Sequence, residues 1–315
     1  MTYMPLTHTP EQAQQAGDLV VRLNAVSVSL LQRHFRMQYS TALGLVHVLE
    51  KAGFVTAPGA DGFRSLTQRA AARRPAAPAA TARELCEAWA CDLFEGGDGG
   101  DAGSPETPSI WLFGMEHGDA VNLVQEEAIG RGVRDYSVAK QLIYPFNRNA
   151  FKLFAAIEGR PVESYVQFAR EHQPWVPGAR GYFKGNLYPY PCRNLGTWSE
   201  QAQRDTGFER KQELVKWCRE HRLPAIAQAV QLHKPRLFIG VGSMMADEFA
   251  QACFGRSVPL ALHEFTVNGR SKKLRYAVHN GTVLVVVPHI SSGSNGLNSD
   301  ESLHTAGSFI ADLLG

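Results

Sequence analysis

The N-terminal part of the chain carries apolar positions at helical spacing in three segments, residues 10–24, 27–35 and 40–52. Thr9 precedes the first segment as a candidate N-cap, and Pro10 occupies its first helical position. Gly53 follows the third segment as a C-cap signal. Two short apolar runs separated by a Pro-Gly turn, within residues 54–66, predict a hairpin. Three helices followed by a hairpin predict a winged helix, whose third helix usually enters the major groove of DNA.

From residue 109 onward, short apolar runs alternate with helical patterns. The runs are bounded by Gly or Pro, which is typical of buried strands in a parallel sheet, and they cover residues 110–114, 237–242 and 283–288. Helical patterns follow at residues 149–159, 208–221 and 244–254. The alternation predicts an α/β fold, a three-layer α/β/α domain with a central, mostly parallel sheet. Its functional loops are expected at the carboxyl ends of the strands.

Two changes of composition predict the domain boundaries. Residues 68–82 are rich in Ala, Pro and Arg without an apolar period and predict a linker, and residues 96–108 are rich in Gly and Asp and predict a loop. An amphipathic pattern between them, residues 82–94, predicts the first helix of the second domain. The predicted organisation is a winged helix in residues 1–67, a linker in residues 68–82, and an α/β domain in residues 83–315.

Composition suits a globular protein, since 44% of the 315 residues are hydrophobic and 20% are charged. The net charge is only +2, so a nucleic-acid role has to rest on a local basic surface. Residues 1–74 supply one, with seven Arg and one Lys against two Asp and two Glu. This excess of four positive charges coincides with the predicted winged helix.

No apolar run is long enough to span a membrane, and the first residues lack the pattern of a signal peptide. A cytoplasmic location is therefore expected. In that reducing compartment the five cysteines are expected to be buried thiols or metal ligands rather than disulfides.

Residues 27–55 carry a Ser-x-x-x-Leu-Gln-Arg, a Tyr-x-x-Ala and a Glu-x-x-Gly-x-Val pattern. This combination resembles the gamma domain of the bacterial DNA translocase FtsK. The resemblance implies DNA contacts from the start of the third helix, by Gln38, Tyr39, Ser40 and Thr41, and places Arg33 and Arg36 near phosphates. A winged helix used for protein contact is the alternative.

In the second domain, the strand at residues 110–113 leads into Gly114-Met115-Glu116-His117-Gly118. A carboxylate just past a buried strand can be presented to a ligand, although a Gly-rich turn with a solvated Glu would show the same pattern. Further polar and aromatic segments follow in a fixed order, at residues 144–148, 183–193, 234–242 and 286–292.

That succession resembles the uracil-DNA glycosylase superfamily, particularly its four-cysteine iron–sulfur branch, over residues 85–314. The resemblance implies that Glu116 activates water, that Phe146 stacks on a flipped base, that Asn186 reads the base edge, and that His289 stabilises the leaving base. It further places Gly114, His117 and Gly118 beside the base, Ser291 and Ser292 beside the DNA backbone, and Leu297 as an apolar wedge into the duplex.

These residue types suit the chemistry. A base inside a duplex is out of reach, so its nucleotide has to be flipped into a pocket. An aromatic ring then stacks on it, an amide offers donors and an acceptor to a pyrimidine edge, and a histidine hydrogen-bonds the negative charge that develops on the leaving base. None of the predicted catalytic or base-binding residues is a lysine, so a monofunctional glycosylase without a Schiff-base step is expected.

The sequence departs from the family at three places. His117 and Ile290 stand where family members often have Pro, and Gly118 stands where uracil-restricted enzymes have a bulky aromatic residue. Gly118 would open space beside C5 of a pyrimidine. We therefore expect a 5-substituted or hypermodified pyrimidine, such as phages use, rather than plain uracil, and a role in defence against phages.

Each residue also has a structural interpretation. His289 could be a hydrogen-bonded core histidine, Phe146 a core aromatic residue, and Asn186 a turn residue. For the whole chain the alternative is an inactive glycosylase-like sensor of modified DNA, or a winged-helix transcriptional regulator.

The resemblance also implies a structural [4Fe-4S] cluster held by Cys86, Cys91, Cys192 and Cys218. The Cys-x4-Cys spacing departs from the usual Cys-x2-Cys, and buried hydrophobic thiols are the alternative. The expected protein is a monomer whose partner is double- or single-stranded DNA, and it needs no cofactor for its chemistry.

Overall fold

The computed structural model describes residues 9–23, 26–35, 37, 39–59, 64–72, 81–91, 99–116, 137–176, 178–190, 192, 196–291 and 293–315. The chain forms two compact units. The N-terminal unit comprises Met1–Gly97, Glu116–Asp135 and Tyr188–Cys218, and the sheet unit comprises Asp98–Met115, Tyr136–Leu187 and Arg219–Gly315.

The N-terminal unit begins with three helices, α1 (Pro10–Leu23), α2 (Val28–Phe35) and α3 (Tyr39–Lys51). Their apolar faces share one core with Val55. The Thr9 hydroxyl accepts a hydrogen bond from the Gln12 amide, and Gly53 has a φ of +72° after α3, as the cap signals predict. Val55 and Leu66 form an antiparallel bridge at the base of the predicted hairpin. The helices and the hairpin base of the predicted winged helix are thus confirmed, and residues 60–63 lie outside the described chain.

The same unit continues with α4 (Gln68–Ala71), α5 (Ala82–Cys91), α9 (Glu200–Thr206) and α10 (Lys211–Trp217), and the helices that lie between α5 and α9 in the sequence belong to the sheet unit. Helix α5 packs against α2 and α9. Leu85 contacts the winged-helix core, and the Arg83 guanidinium lies 4.2 Å from the ring centroid of Phe208.

This packing differs from the predicted division, in which α5 opens the second domain and residues 68–82 form a linker. The apolar face of α5 finds its partner on the winged helix, and Thr67 caps the short α4 inside the predicted linker. Residues 188–218 join the same unit from far along the chain, which composition alone does not reveal.

The sheet unit contains β1 (Gly99–Gly100), β2 (Ile110–Glu116), β3 (Tyr182–Tyr188), β4 (Leu237–Val241), β5 (Ala261–Val267), β6 (Arg270–His279) and β7 (Thr282–Val287). The last residues of β2 and β3, Glu116 and Tyr188, are grouped with the N-terminal unit. They form one sheet in the order β1-β3-β2-β4-β7-β6-β5. Strands β2, β4 and β7 are parallel, with Ile110 opposite Leu237 and Leu237 opposite Val283. Strand β1 pairs antiparallel with β3, and β5, β6 and β7 pair antiparallel in turn. The α/β class is therefore confirmed, with a mixed sheet around a parallel centre.

The helices of this unit are α6 (Val138–Gln141), α7 (Pro145–Ile157), α8 (Tyr165–His172), α11 (Leu223–His233), α12 (Ala246–Phe254) and α13 (Asp300–Leu314). A π-helix covers Cys218–Arg222, and single 3₁₀ turns cover Val162–Ser164 and Ser243–Met245. Within the described chain no helix is long and apolar enough to cross a membrane.

Helices cover both faces of the sheet. Ile110 and Ile239 point to one face and share a core with Phe151 of α7, which packs on α13. Successive side chains of a strand point to opposite faces, so Gly240 lies on the other face, where a Cβ would come within 2.5 Å of the Phe249 ring of α12. The central strands were predictable because a strand that is buried on both faces is a nearly continuous run of apolar residues.

The hairpin strands β5 and β6 were not predicted. Their solvent-exposed positions interrupt the apolar pattern, yet Asn268-Gly269 and Asn280-Gly281 mark the two turns, with φ near +51° and +71° in the first and +50° and +80° in the second. Asn-Gly between extended segments is a strong hairpin signal. The two Asn-Gly dipeptides could therefore have indicated both hairpin turns from the sequence.

The order of the parallel strands defines where a ligand can bind. From β2 the chain moves outward to β3 on one side, and from β4 it moves to the outermost strand β5 on the other side and returns through β6 to β7. In open α/β sheets this reversal leaves a crevice outside the carboxyl ends of the two central strands.

Candidate functional site

Gly114 and Asn186 meet near the carboxyl ends of β2 and β3. A Cβ at Gly114 would lie 2.5 Å from Oδ1 of Asn186, so only glycine lets the amide approach the β2 backbone this closely. The Asn186 side chain is buried, with 6% of the residue exposed. The structure therefore brings together these two residues of the predicted base site.

A buried arginine fixes the backbone of Asn186. Arg222, which is 5% exposed and ends the π-helix, donates from Nη2 to the Asn186 carbonyl over 2.6 Å and from Nε to the Leu187 carbonyl over 2.8 Å. Short π-helical segments are frequent at functional sites. Sequence reasoning missed this contact, because the local sequence CREHR has the pattern of an ordinary helix end.

Phe146 and His289 also lie together. Phe146 is the second residue of α7, half-buried at the edge of the apolar core, and its ring centroid lies 6.2 Å from that of His289 with the ring planes at 65°. The Lys184 ammonium lies 5.5 Å from the Phe146 centroid and 3.4 Å from Oδ1 of Asn147. Lys184 stands two residues before Asn186 on β3, so one strand supplies an amide and a cation to this end of the sheet.

The hydrogen bonds of His289 define its tautomer. The Ser291 backbone amide donates to Nδ1 over 3.3 Å, and a backbone N–H can only donate, so Nδ1 is the acceptor. In the neutral ring the proton is therefore on Nε2. Burial lowers the pKa of His289 from its ordinary value, which favours that neutral form. Asn149 holds Ile290, the residue after His289, by donating from Nδ2 to the Ile290 carbonyl over 2.5 Å.

Glu116 is the last residue of β2 and belongs to the N-terminal unit. Its Oε2 accepts a 2.7 Å hydrogen bond from Nζ of Lys211, and each side chain is only 8% exposed. Burial raises the pKa of Glu116, and the hydrogen bond and charge of Lys211 oppose that rise. The prediction of a carboxylate at the end of this strand is met, but its buried partner was not foreseen.

Leu297 does not occupy the position predicted for it. Its side chain is fully buried in the core of the sheet unit, and its amide donates to the His289 carbonyl over 3.0 Å. Lys272 holds the same loop by donating from Nζ to the carbonyls of Ser294 and Gly296. A wedge has to be exposed to enter a duplex, so in this structure Leu297 is a core residue and the prediction of a wedge is wrong.

The hydroxyl of Ser291 lies 3.3 Å from Nδ1 of His289, so this serine contacts the histidine rather than only the solvent. Thr41 is half-buried in the first turn of α3. Other predicted site residues lie outside the described chain or have side chains outside it: Arg33, Arg36, Gln38, Tyr39, Ser40, His117, Gly118 and Ser292.

All four predicted cluster ligands belong to the N-terminal unit. Cys86, Cys192 and Cys218 are buried and Cys91 is exposed. Positions five apart on a helix differ by about 140° around its axis, which explains why Cys86 and Cys91 of α5 differ in exposure. Among the described residues no group of three or more His, Cys, Asp or Glu side chains is placed to hold a metal ion. The iron–sulfur cluster thus stays a prediction from the sequence.

Comparison with known proteins bears on the winged helix. Residues 9–68 match the Ftsk gamma domain family. Over 52 residues the chain is 42% identical to "DNA translocase FtsK 2" of Ralstonia nicotianae. This matched stretch is 16% of this chain and 7% of that protein. The chain thus spans only a small part of the relative that it matches. The N-terminal resemblance is confirmed: this winged helix is similar to the FtsK gamma domain, a DNA-binding domain.

Proposed function

We propose that this protein is a monofunctional DNA glycosylase that binds DNA through its winged helix and excises a flipped pyrimidine base. One observation carries the proposal: a buried amide, an aromatic ring and a neutral histidine lie at the carboxyl ends of the strands of one sheet. Asn186, Phe146 and His289 supply them. This is the edge at which open α/β sheets bind ligands.

Base recognition uses the first two groups. The half-buried Phe146 offers a ring face on which a flipped base stacks. Asn186 supplies a side-chain amide, a group that can recognise a Watson–Crick edge, and the Arg222 contacts hold the backbone that carries it. Lys184 beside Phe146 adds positive charge where a phosphate or a polar substituent of the nucleotide would lie.

Departure of the base is assisted by His289. As the C1′–N1 bond of the nucleotide breaks, its electron pair moves to the base, and negative charge develops at O2. The Nε2–H of the neutral imidazole donates a hydrogen bond to that oxygen. The lowered pKa of His289 keeps the ring in the tautomer that does this without a second proton.

Water attack is assigned to Glu116, two residues beyond Gly114 on the same strand. Its ionised carboxylate orients a water toward C1′ and takes its proton as the new C–O bond forms, which leaves an abasic site and the base anion. The same negative charge stabilises the positive charge that develops on the sugar.

The substrate class follows from the sequence. Gly118 removes the bulk that would exclude a 5-substituent, so a 5-substituted or hypermodified pyrimidine, as in phage DNA, is the proposed base and defence against phages the proposed role. The presence of both Glu116 and His289, the latter with its proton on Nε2, favours an enzyme over an inactive sensor of modified DNA, since binding alone requires neither group.

The test is excision from oligonucleotides that carry uracil, a thymine mismatch, 5-hydroxymethyluracil, 5-hydroxymethylcytosine or its glucosylated form, followed by alkali. We expect alkali-dependent strand breaks at a 5-substituted base, and a rate about a hundred- to a thousand-fold lower in Glu116→Gln and His289→Ala. Glu301→Gln and His304→Ala are matched controls, because both residues are exposed on α13. Tight DNA binding without cleavage of any substrate would instead establish the sensor or regulator.

A further inference from the structure

We propose that Lys211 is a positioning residue for Glu116, holding one oxygen of its carboxylate so that the other faces the attacking water. This inference rests on the proposed function, because it concerns the group that activates water there. Lys211 is far from Glu116 in the sequence and belongs to none of the motifs that suggested the activity.

The geometry assigns different tasks to the two carboxylate oxygens. Nζ of Lys211 donates to Oε2 over 2.7 Å. In the described part of the chain, no residue donates a hydrogen bond to Oε1, so this oxygen remains to accept the proton of a water. A carboxylate with one oxygen fixed has a defined orientation, which a general base requires.

The burial of the pair shows that the contact is more than a surface ion pair. Both side chains are 8% exposed, and removing two charges from water is costly unless each compensates the other. Lys211 is also the first residue of α10, where the helix dipole disfavours a cation. Neither local helix stability nor solvation therefore favours lysine at this position, whereas the Glu116 carboxylate does.

The pair also controls protonation. Burial raises the pKa of Glu116, and the hydrogen bond and charge of Lys211 lower it. Among the described residues, Lys211 is the charged group that acts on the Glu116 carboxylate. Without that charge, burial acts alone, the pKa rises further, and the base becomes protonated at higher pH than in the wild type.

The experiment compares single-turnover excision against pH for the wild type, Lys211→Met and Lys211→Arg. We expect the acid limb of the Lys211→Met profile to move upward by about one to three pH units, the usual effect of an opposite charge at this distance. Lys211→Arg should restore the wild-type limb. Lys216→Met, an exposed lysine of the same helix, is the matched control and should keep the wild-type profile.

A purely structural role gives a different result. Lys211→Met would then lower stability and the amount of active protein while the pH at which the acid limb falls stayed unchanged, and that outcome would overturn the proposal. If Lys211→Met does not fold, Lys211→Gln keeps a neutral hydrogen bond and removes the charge, so an unshifted limb in this variant is equally decisive.

A second measurement separates this inference from the proposed function. The pH dependence of unfolding is followed for the wild type and Lys211→Met, each with and without Glu116→Gln. If Lys211 sets the protonation of Glu116, the Lys211→Met effect depends on pH only when Glu116 is present. This result can be obtained even if no base is excised, whereas equal effects in both backgrounds would sink the pairing itself.

Discussion

The winged helix and the carboxyl ends of the sheet strands, called the sheet edge below, provide different kinds of functional information. In the winged helix a family match identifies the domain, while most side chains predicted to touch DNA lie outside the described structure. At the sheet edge the contacts of Asn186, Phe146 and His289 are defined, and function has to be inferred from their chemistry. Similarity thus indicates a partner for one region, whereas the reaction assigned to the other is a proposal argued from its geometry.

Substitutions in the two regions should also affect different properties of the protein. Contacts to phosphates supply affinity that depends on salt and little on sequence, whereas groups that act on the reacting atoms supply rate. Under the proposed function, binding and chemistry lie in different regions, so we expect variants of one region to leave the property of the other intact.

Leu297 tests whether the loop after His289 belongs to the core or to the DNA-binding surface. Its side chain is fully buried, so Leu297→Ala should lower the free energy of unfolding by about 2–5 kcal/mol through weaker packing and the cavity left behind. Urea unfolding measures this directly.

The matched control is Met244→Ala, since Met244 is 83% exposed and its truncation should change stability by less than about 0.5 kcal/mol. If Leu297→Ala were as stable as the wild type and bound duplex DNA more weakly, the loop would belong to the DNA-binding surface after all.

Arg33 and Arg36 test the other region. Replacing both by Ala should weaken DNA binding and reduce the slope of log K against log salt by about 1 for each phosphate that the variant no longer neutralises. Fluorescence anisotropy at several salt concentrations gives the slope. At saturating protein the single-turnover excision rate should stay at the wild-type value, because the reacting groups are untouched.

Arg204→Ala with Arg210→Ala removes the same charge from exposed positions of the N-terminal unit and serves as the control. A slope that stays constant in the Arg33 and Arg36 variant would remove phosphate binding from the winged helix and favour its use in protein contact.

Local patterns predicted what is determined locally. The strand at residues 110–114 and the helix at residues 10–24 were found because apolar periodicity and cap residues depend on nearby sequence. Asn186 and His289 were predicted as site residues because their order along the chain resembles a family, and their roles stay predictions.

Long-range contacts were out of reach. The pairing of Lys211 with Glu116, and the Arg222 contacts to the Asn186 backbone, join residues that are distant in the chain. The position of Leu297 was predicted wrongly for the same reason. A leucine in a Gly- and Ser-rich loop has the pattern of an exposed loop tip, and its contacts with the core are visible only in the folded structure.

The smallest expected effect concerns the protonation of His289. Its folded pKa is lowered below the ordinary value of 6.5, so in the window between the two values the unfolded chain binds a proton that the folded chain does not. Above pH 6.5 the ring is neutral in both states and the free energy of unfolding is at its full value. As the pH falls through that window, protonation of the unfolded chain lowers the free energy of unfolding. The change is modest, because water screens a half-buried ring.

Urea unfolding from about pH 5 to about pH 8 should therefore show a loss of stability on acidification that is smaller in His289→Gln than in the wild type. His304→Gln, at an exposed histidine of α13, should follow the wild-type curve. Identical curves for the wild type and His289→Gln would mean that the ring binds a proton equally well in both states. The neutral Nε2–H donor would then lose its support, and the sheet edge would retain base recognition through Asn186 and Phe146 without a defined group to stabilise the leaving base.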